Sequence, residues 1–345
     1  MGVEGVFPHL AAMEVETPLV DMALVRCVEV DMLSLYFSYI RAVQKGIMYK
    51  AFRRDATIAS QKPTSEILNR NLVNTLHKKL LETFTQDIET VLHFDGQPTA
   101  QKARARSARM VRNSKNLTTI NDFSQNIREI ACSSESGPIP RARKRRLLRL
   151  NQQLKRSWGD ARTIDSDTKK SLSTGLKQLG WNVCTCQGEA DACIGRKADQ
   201  YPGKIVVASA DSDMLFYPLK TLLRKDTRNH TFTEYNIESL IQKLNVTTPQ
   251  WIAAGIVTNN DYSGHLRGQS FVKNLGVVRS CIAVDAKGVL DQYCIKMNVD
   301  KDRYKMAADI FLDRLETTVE ESSSNEAIDA AMKEVVKHVS IFLHK

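Results

Sequence analysis

No stretch of this chain comes near the roughly 18 consecutive apolar residues that a membrane-spanning helix requires, so it is not expected to cross a bilayer. The first ten residues, MGVEGVFPHL, lack a cationic segment followed by an apolar one, and no secretory leader is expected there. Val6 stands where N-myristoylation wants Ser or Thr, so a lipid anchor is not expected either. Cysteine offers no CxxC and no Cys/His pair at ligand spacing. The seven cysteines are an odd number, irregularly spaced, with Cys184 and Cys186 in the strand-like stretch WNVCTCQG. They read as reduced, structural thiols of an intracellular protein. Internal repeats are absent. Acid is in short supply, with 39 Asp and Glu against 49 Lys and Arg, a formal charge of +10 over 345 residues. An excess of this sign suits a polyanionic partner or an acidic surface.

The chain is long enough for one large domain or two small ones, and 42% hydrophobic with 26% charged is ordinary for a globular protein. Four short apolar segments read as strands, and each runs into acid. They are LVRCVEVD, ending at Asp31; IETVLHFD, ending at Asp95; WNVCTCQGEAD, leading to Glu189 and Asp191; and VVASADSDMLFY, with Asp211 and Asp213. Asp261 follows the helix-like run WIAAGIV. Helical patterns lie between the strands. Thr64 to Glu82 places Ile67, Leu68, Leu72, Leu76 and Leu80 inward, and Ser166 to Leu179 places Leu172, Leu176 and Leu179 on one face, with Gly180 as the stop.

Strands alternating with helices imply parallel βαβ units, whose ligands bind beyond the carboxyl ends of the strands. The expected fold is therefore α/β, with a central, mostly parallel sheet flanked by helices. Residues 111–165 interrupt the alternation. They are rich in Asn, Ser and Thr and then strongly basic, with six Lys or Arg from Arg141 to Arg149. We read residues 1–110 and 166–280 as two parts of one core, 111–165 as an inserted basic region, and 281–345 as a helical C-terminal segment.

A single Asp after a strand is most simply a turn residue or a helix cap. Seven carboxylates at element ends of a basic protein need another reason: Asp31, Asp95, Glu189, Asp191, Asp211, Asp213 and Asp261. Burying one ionised carboxylate is costly, and a close pair adds repulsion. In an extended segment residues i and i+2 point the same way, so Asp211 and Asp213 are expected to reach one site together. Hard divalent cations such as Mg²⁺ and Mn²⁺ take oxygen ligands and would remove that repulsion.

These blocks resemble the flap endonuclease/XPG family of structure-specific 5′ nucleases, which have a PIN-like fold. MGVEGVFPHL resembles the family's MGxxGL start, VEVDMLSLY its first acidic strand, and FDGQPTAQKARARSAR its FDGxPPxxK segment. QGEADAC resembles SEAEA, SADSDMLF resembles SEDxDxLxF, and NNDYSGHLRG resembles GxDYxxxxxG. The six blocks occur in order over roughly residues 1 to 280. The resemblance implies two Mg²⁺ ions, with Mn²⁺ as substitute. Asp31, Asp95, Glu189 and Asp191 would lie around one, and Asp211, Asp213 and Asp261 would hold the other. It also implies that Lys102 and Arg109, at successive seven-residue steps after Asp95, meet the scissile phosphate, and that Gly2 threads near the metals.

The resemblance implies further roles by position. Tyr36 or Phe37 would stack on a base, against the alternative of core packing. Arg141, Arg143, Lys144, Arg145 and Arg146 would form part of an inserted helical arch over a 5′ strand. That run also reads as a nuclear localisation signal. Arg267 and Gly268 would belong to a helix–two-turn–helix that binds duplex phosphate. There the chain departs from the pattern: RGQSFVKN has Ser270 in place of the second glycine.

The implied activity is metal-dependent hydrolysis of DNA phosphodiesters at a 5′ flap or free 5′ end, by a monomer located in the nucleus. Two alternatives stand beside it. One is the same chemistry directed at RNA; the cytoplasm is the alternative location for any of these readings. The other is an inactive scaffold that binds nucleic acid or protein.

Overall fold

In a computed structural model of the protein, the described residues are 3–12, 19–20, 27–54, 65–84, 88–96, 111, 118–119, 122–123, 125–127, 129–130, 141–142, 145–150, 152–153, 164, 166–201, 205–225, 232–258, 260, 262–263 and 266–313. Seven strands form one sheet: β1 (Leu19–Val20), β2 (Cys27–Asp31), β3 (Glu89–Phe94), β4 (Asn182–Thr185), β5 (Val206–Ala208), β6 (Thr221–Lys225) and β7 (Phe232–Asn236). Their order across the sheet is β1-β7-β6-β5-β2-β3-β4. The five strands from β6 to β4 are parallel, and β7 runs antiparallel to β6 and to β1.

Alternation along the strands divides the apolar residues between two faces, as a pleat requires. Val28 and Val30 of β2, Leu92 and Phe94 of β3, Ala208 of β5 and Leu223 of β6 share one core. Three helices close over it: α2 (Met32–Arg54), α3 (Ser65–Thr83) and α4 (Ser166–Gln178). Leu72, Leu76 and Leu80 repeat every four residues along α3 and are fully buried there, with Leu172 and Leu176 of α4. Each such leucine contributes about 2 kcal/mol by leaving water.

Val207, Leu222 and Tyr235, one residue out of phase, face the second core. It is covered by α5 (Ala190–Gln200), α7 (Thr248–Val257), α8 (Phe271–Arg279) and α9 (Ala286–Met297), with α1 (Val6–Ala12) and α6 (Ile237–Lys243) beside them. Short helical turns at Lys301–Tyr304, α10 (Lys305–Ala308) and Asp309–Asp313 complete it.

The four expected strands are present and parallel. The strands β1, β6 and β7 were not expected: β1 is only two residues long, and TLLRK and FTEYN mix apolar with polar residues without running into acid. Leu179 is also a correction. It is 42% exposed, since α4 ends at Gln178 and the chain turns away through Gly180 at φ +90°. Ile67 and Leu68 lie outside the residues whose side chains are described, and residues 314–345 of the expected helical C-terminal segment lie outside the described residues altogether. Of the basic insertion, the described residues from 141 to 153 are helical, with Arg141, Arg145 and Arg146 exposed.

One contact ties the second core to the end of β5. The chain after β5 winds into a 3₁₀ turn, Ser212–Phe216, whose Phe216 ring stacks on Trp251 of α7 at 4.6 Å. Trp251 Nε1 donates to the carbonyl of Leu215 at 2.7 Å. Trp251→Ala is expected to cost about 3–5 kcal/mol. In a urea melt this appears as a lower midpoint with an unchanged m-value.

Candidate functional site

Parallel strands end on the same side of a sheet, so the residues that follow β2, β3, β4 and β5 gather at one edge. Along the sheet, chain order runs β2, β3, β4 in one direction and β5, β6 in the other. The reversal lies between β2 and β5, where an α/β sheet opens its crevice. Asp31 closes β2 and Asp211 follows β5, one on each side of that reversal.

Two serines join the sides. Ser209 Oγ donates to Asp31 Oδ2 at 2.9 Å and accepts from the amide of Asp211 at 3.1 Å. Ser34 donates its amide to Asp31 Oδ1 at 3.1 Å, and its hydroxyl accepts from the amide of Ala210 at 3.1 Å. Asp31 is 5% exposed. Its carboxyl is pushed up from 3.8 to about 8, first by burial and then by the charges of Asp95 and Asp211, with a smaller push from Asp191. The Ser34 amide opposes the rise without offsetting it.

Asp95 follows β3. Its Oδ1 accepts from the amide of Ala190 at 3.0 Å, so this carboxylate sits on the N-terminus of α5, where unsatisfied amides and the helix dipole favour an anion. Its Oδ2 meets Lys169 Nζ of α4 at 3.2 Å. Gly96 permits the approach: a Cβ there would come within 1.8 Å of the carbonyl oxygen of Cys186. Glu189 is the N-cap residue of α5 and Asp191 lies in its first turn.

The segment after β5 corrects the expectation of an extended Asp211–Asp213 pair. Asp211 instead caps the 3₁₀ turn, its Oδ1 accepting the amide of Asp213 at 3.1 Å, and Asp213 is buried inside that turn. Winding the backbone lets the acid cap its own turn, which an extended strand would not.

Tyr262 shows that the acids form one group. Its hydroxyl donates to Asp191 Oδ2 at 3.4 Å. Burial first, then the charges of Asp191, Glu189, Asp213 and Asp211 in that order, hold its phenol well above the usual tyrosine range. Together with the neighbours of Asp31, this brings six carboxylates into one electrostatic unit. Asn260 shapes the loop that presents Tyr262, donating to the carbonyls of Gly255, Ile256 and Thr258 and accepting from the amides of Tyr262 and Ser263. The donor set is all carboxylate and hydroxyl oxygen, and burial, with mutual repulsion added to it, has already raised one member. It fits a hard divalent cation.

Other expected site residues divide three ways. Gly2, Lys102, Arg109, Arg143, Lys144 and Asp261 lie outside the described residues. Tyr36 is a correction: it is 1% exposed within the core beneath α2, with Lys225 Nζ 5.0 Å from its ring centre, so no face is open to a base. Phe37 is half-buried, with the Arg41 guanidinium over its ring at 5.3 Å. Arg267 and Gly268 form a turn before α8, Gly268 at φ +80°. Ser270 has φ −85° and caps α8, its side chain accepting from the amide of Lys273. No glycine is required at that position, so the departure from the family's loop costs the backbone nothing.

Sequence reasoning missed Lys169 and Tyr262. Lys169 is one of two adjacent lysines on an otherwise ordinary amphipathic helix, and only the fold turns it towards Asp95. Tyr262 had a local signal, since it follows Asp261 directly in NNDYSG.

No protein-family model matches the chain, and no curated protein does. Solved structures do. The catalytic core of Rad2 in complex with DNA substrate is similar in two of its complexes. One, complex III, has a TM-score of 0.52, 14% identity, and coverage of 90% of this chain and 86% of that one. The other, complex IV, has a TM-score of 0.51, 14% identity, and coverage of 90% and 85%. Flap endonuclease-1 from Methanococcus jannaschii is similar at 15% identity, over 87% of this chain and 96% of that one, with a TM-score of 0.46. The chain has the α/β fold of the Rad2 catalytic core.

The raised carboxyl of Asp31 sets a pH dependence with a definite sign. Folded metal-free protein binds a proton at Asp31 that the unfolded chain releases, between pH near 4 and about 8. Stability of the metal-free protein therefore falls as pH rises through that window, by up to about 1.4 kcal/mol per unit. Asp31→Asn is expected to flatten this slope in urea melts from pH 5 to 8. A variant as pH-sensitive as the parent would show that Asp31 is not the titrating group.

Proposed function

We propose that this protein is a divalent-metal-dependent nuclease that hydrolyses phosphodiesters of DNA with a 5′ flap or free 5′ end. The observation that carries the reading is the convergence of Asp31, Asp95, Glu189, Asp191, Asp211 and Asp213 from four parallel strand ends at the reversal of the sheet, in the fold of the Rad2 core. The Rad2 structures contain DNA substrate, which supports a nucleic acid as the partner of this fold.

Asp31, Asp95, Glu189 and Asp191 would hold one cation, and Asp211, Asp213 and Asp261 the other. Such cations, Mg²⁺ or Mn²⁺, supply Lewis acidity to the phosphate and to the attacking water. The chain's own part is orientation. Ser34 and Ser209 hold the Asp31 carboxylate by both oxygens, the α5 N-terminus holds Asp95, and Tyr262 holds Asp191. Lys169 adds a positive charge beside Asp95, where charge builds on the phosphate. Lys102 and Arg109 would serve the same phosphate from the segment after Asp95.

The exposed Arg141, Arg145 and Arg146 would meet strand phosphates as part of an arch, Phe37 would offer a face to a base, and the Arg267–Gly268 turn would meet duplex backbone. A nuclear location follows from this substrate class and from the basic run.

Cleavage of a 5′-labelled single-flap DNA and its RNA twin, in Mg²⁺ and then Mn²⁺, tests the reading. Asp211→Ala is expected to lower the rate by more than about 100-fold, beyond the 10–100-fold that losing a supporting group costs. Full activity in that variant removes the metal site, and faster cleavage of the RNA twin moves the substrate to RNA. Arg145→Gln with Arg146→Gln is expected to lessen the slope of log binding constant against log salt by about 0.7 for each phosphate of single-stranded DNA that these side chains neutralise. An unchanged slope would remove these arginines from the nucleic-acid path.

A further inference from the structure

A second cluster lies beside the acids, and it contains no acid ligand. His93 of β3 pairs in register with Cys184 of β4. Cys186 lies two residues on, towards the same face of the sheet, and Cys193 lies in the first turns of α5, which covers that face. One ligand atom from each of His93, Cys184, Cys186 and Cys193 lies within 4.8 Å of every other, with His93 and Cys186 buried. Cys186 Sγ is 3.7 Å from His93 Nδ1. None of the three cysteines is in a disulfide.

We propose that His93, Cys184, Cys186 and Cys193 bind one Zn²⁺ as a closed, structural Cys₃His site. Four donors of this composition are a recurrent tetrahedral zinc set, with Zn–S near 2.3 Å and Zn–N near 2.0 Å. Those bond lengths place two thiolates about 3.8 Å apart and a thiolate and imidazole nitrogen about 3.5 Å apart. The observed spacing needs little adjustment to reach them.

The surroundings of the histidine point the same way. His93 Nε2 lies 2.5 Å from Glu29 Oε2. A carboxylate only accepts, so Nε2 carries a proton, and Nδ1 is the nitrogen left facing the sulfurs as the ligand atom. Glu29 is itself 2% exposed on β2 and is held by Lys197 of α5. A carboxylate that fixes the tautomer of a ligating histidine is the usual outer partner of such a site. Three thiolates and Zn²⁺ leave one negative charge, and Lys197 and Arg196 lie on the same helix to offset it.

The spacing C-x-C-x₆-C with a histidine about 90 residues earlier matches no sequence signature for zinc. It is assembled by strand register and by the helix that follows β4. This corrects the reading of these cysteines as thiols without a Cys/His partner. The site joins β3, β4 and α5 a few residues from Asp95, Glu189 and Asp191. It stands whether or not those acids hold metal.

The test is zinc content of the full chain, expressed in zinc-containing medium and purified and desalted without any chelator. The expected result is one zinc per chain. Replacement by Co²⁺ is expected to give thiolate-to-cobalt charge transfer and tetrahedral d–d absorption. Cys193→Ser is expected to lose the metal, and Glu29→Gln to weaken it 10- to 100-fold in competition with a chromophoric chelator. Asp211→Ala is expected to retain it in full, which separates this site from the acid site. A folded parent with less than about a tenth of an equivalent of zinc and no cobalt spectrum would overturn the proposal, whatever happens to the variants. So would a folded Cys193→Ser protein that keeps its zinc.

Discussion

Repulsion between carboxylates is the constraint around which this structure is arranged. A parallel sheet delivers every strand end to one edge, and four of those ends here carry acid. The protein answers with oriented dipoles before any cation is considered. Asp31 receives an amide and a hydroxyl, Asp95 an amide at a helix start and a lysine, Asp191 a tyrosine hydroxyl, and Asp211 the amide of the turn it caps. These donors leave Asp31 short of ionised at neutral pH. The deficit that remains is what a divalent cation is suited to fill.

Much of this was legible in the sequence because both signals are local. Period-two apolar runs ending in acid mark the strands, and leucines at four-residue steps mark the helices that cover them. What was illegible depends on distance. Lys169 looks like any solvated lysine until α4 packs beside β3. Tyr36 reads equally as a base-stacking aromatic or a core residue, and its position on α2 settles it in the core. Asp211 and Asp213 sit in a sequence that supports strand or turn, and the choice falls to the turn because Phe216 has Trp251 to stack on. Cys184 and His93 are 91 positions apart, and only strand register makes them neighbours.

The two donor clusters divide ligand chemistry along the same helix. Asp191 and Cys193 are two residues apart in α5, about 200° around its axis. Oxygen ligands gather on one flank and sulfur with nitrogen on the other, so a hard and a soft cation would not compete for the same donors. A helix held at its first turn from both flanks has little freedom to rotate.

The acids come from positions 31, 95, 189, 191, 211 and 213, and no short segment of chain contains more than two of their strands. Pairing parallel neighbours so distant in sequence carries a large loop-closure entropy and is slow. The cluster therefore exists only after the sheet has closed, and its repulsion is met at the last stage of folding, not the first. A nascent chain released before β5 has no site to assemble. A divalent cation bound there, as proposed, would act chiefly on unfolding: it would hold together contacts formed after the sheet closes, and so prolong the life of the native state without hastening its arrival.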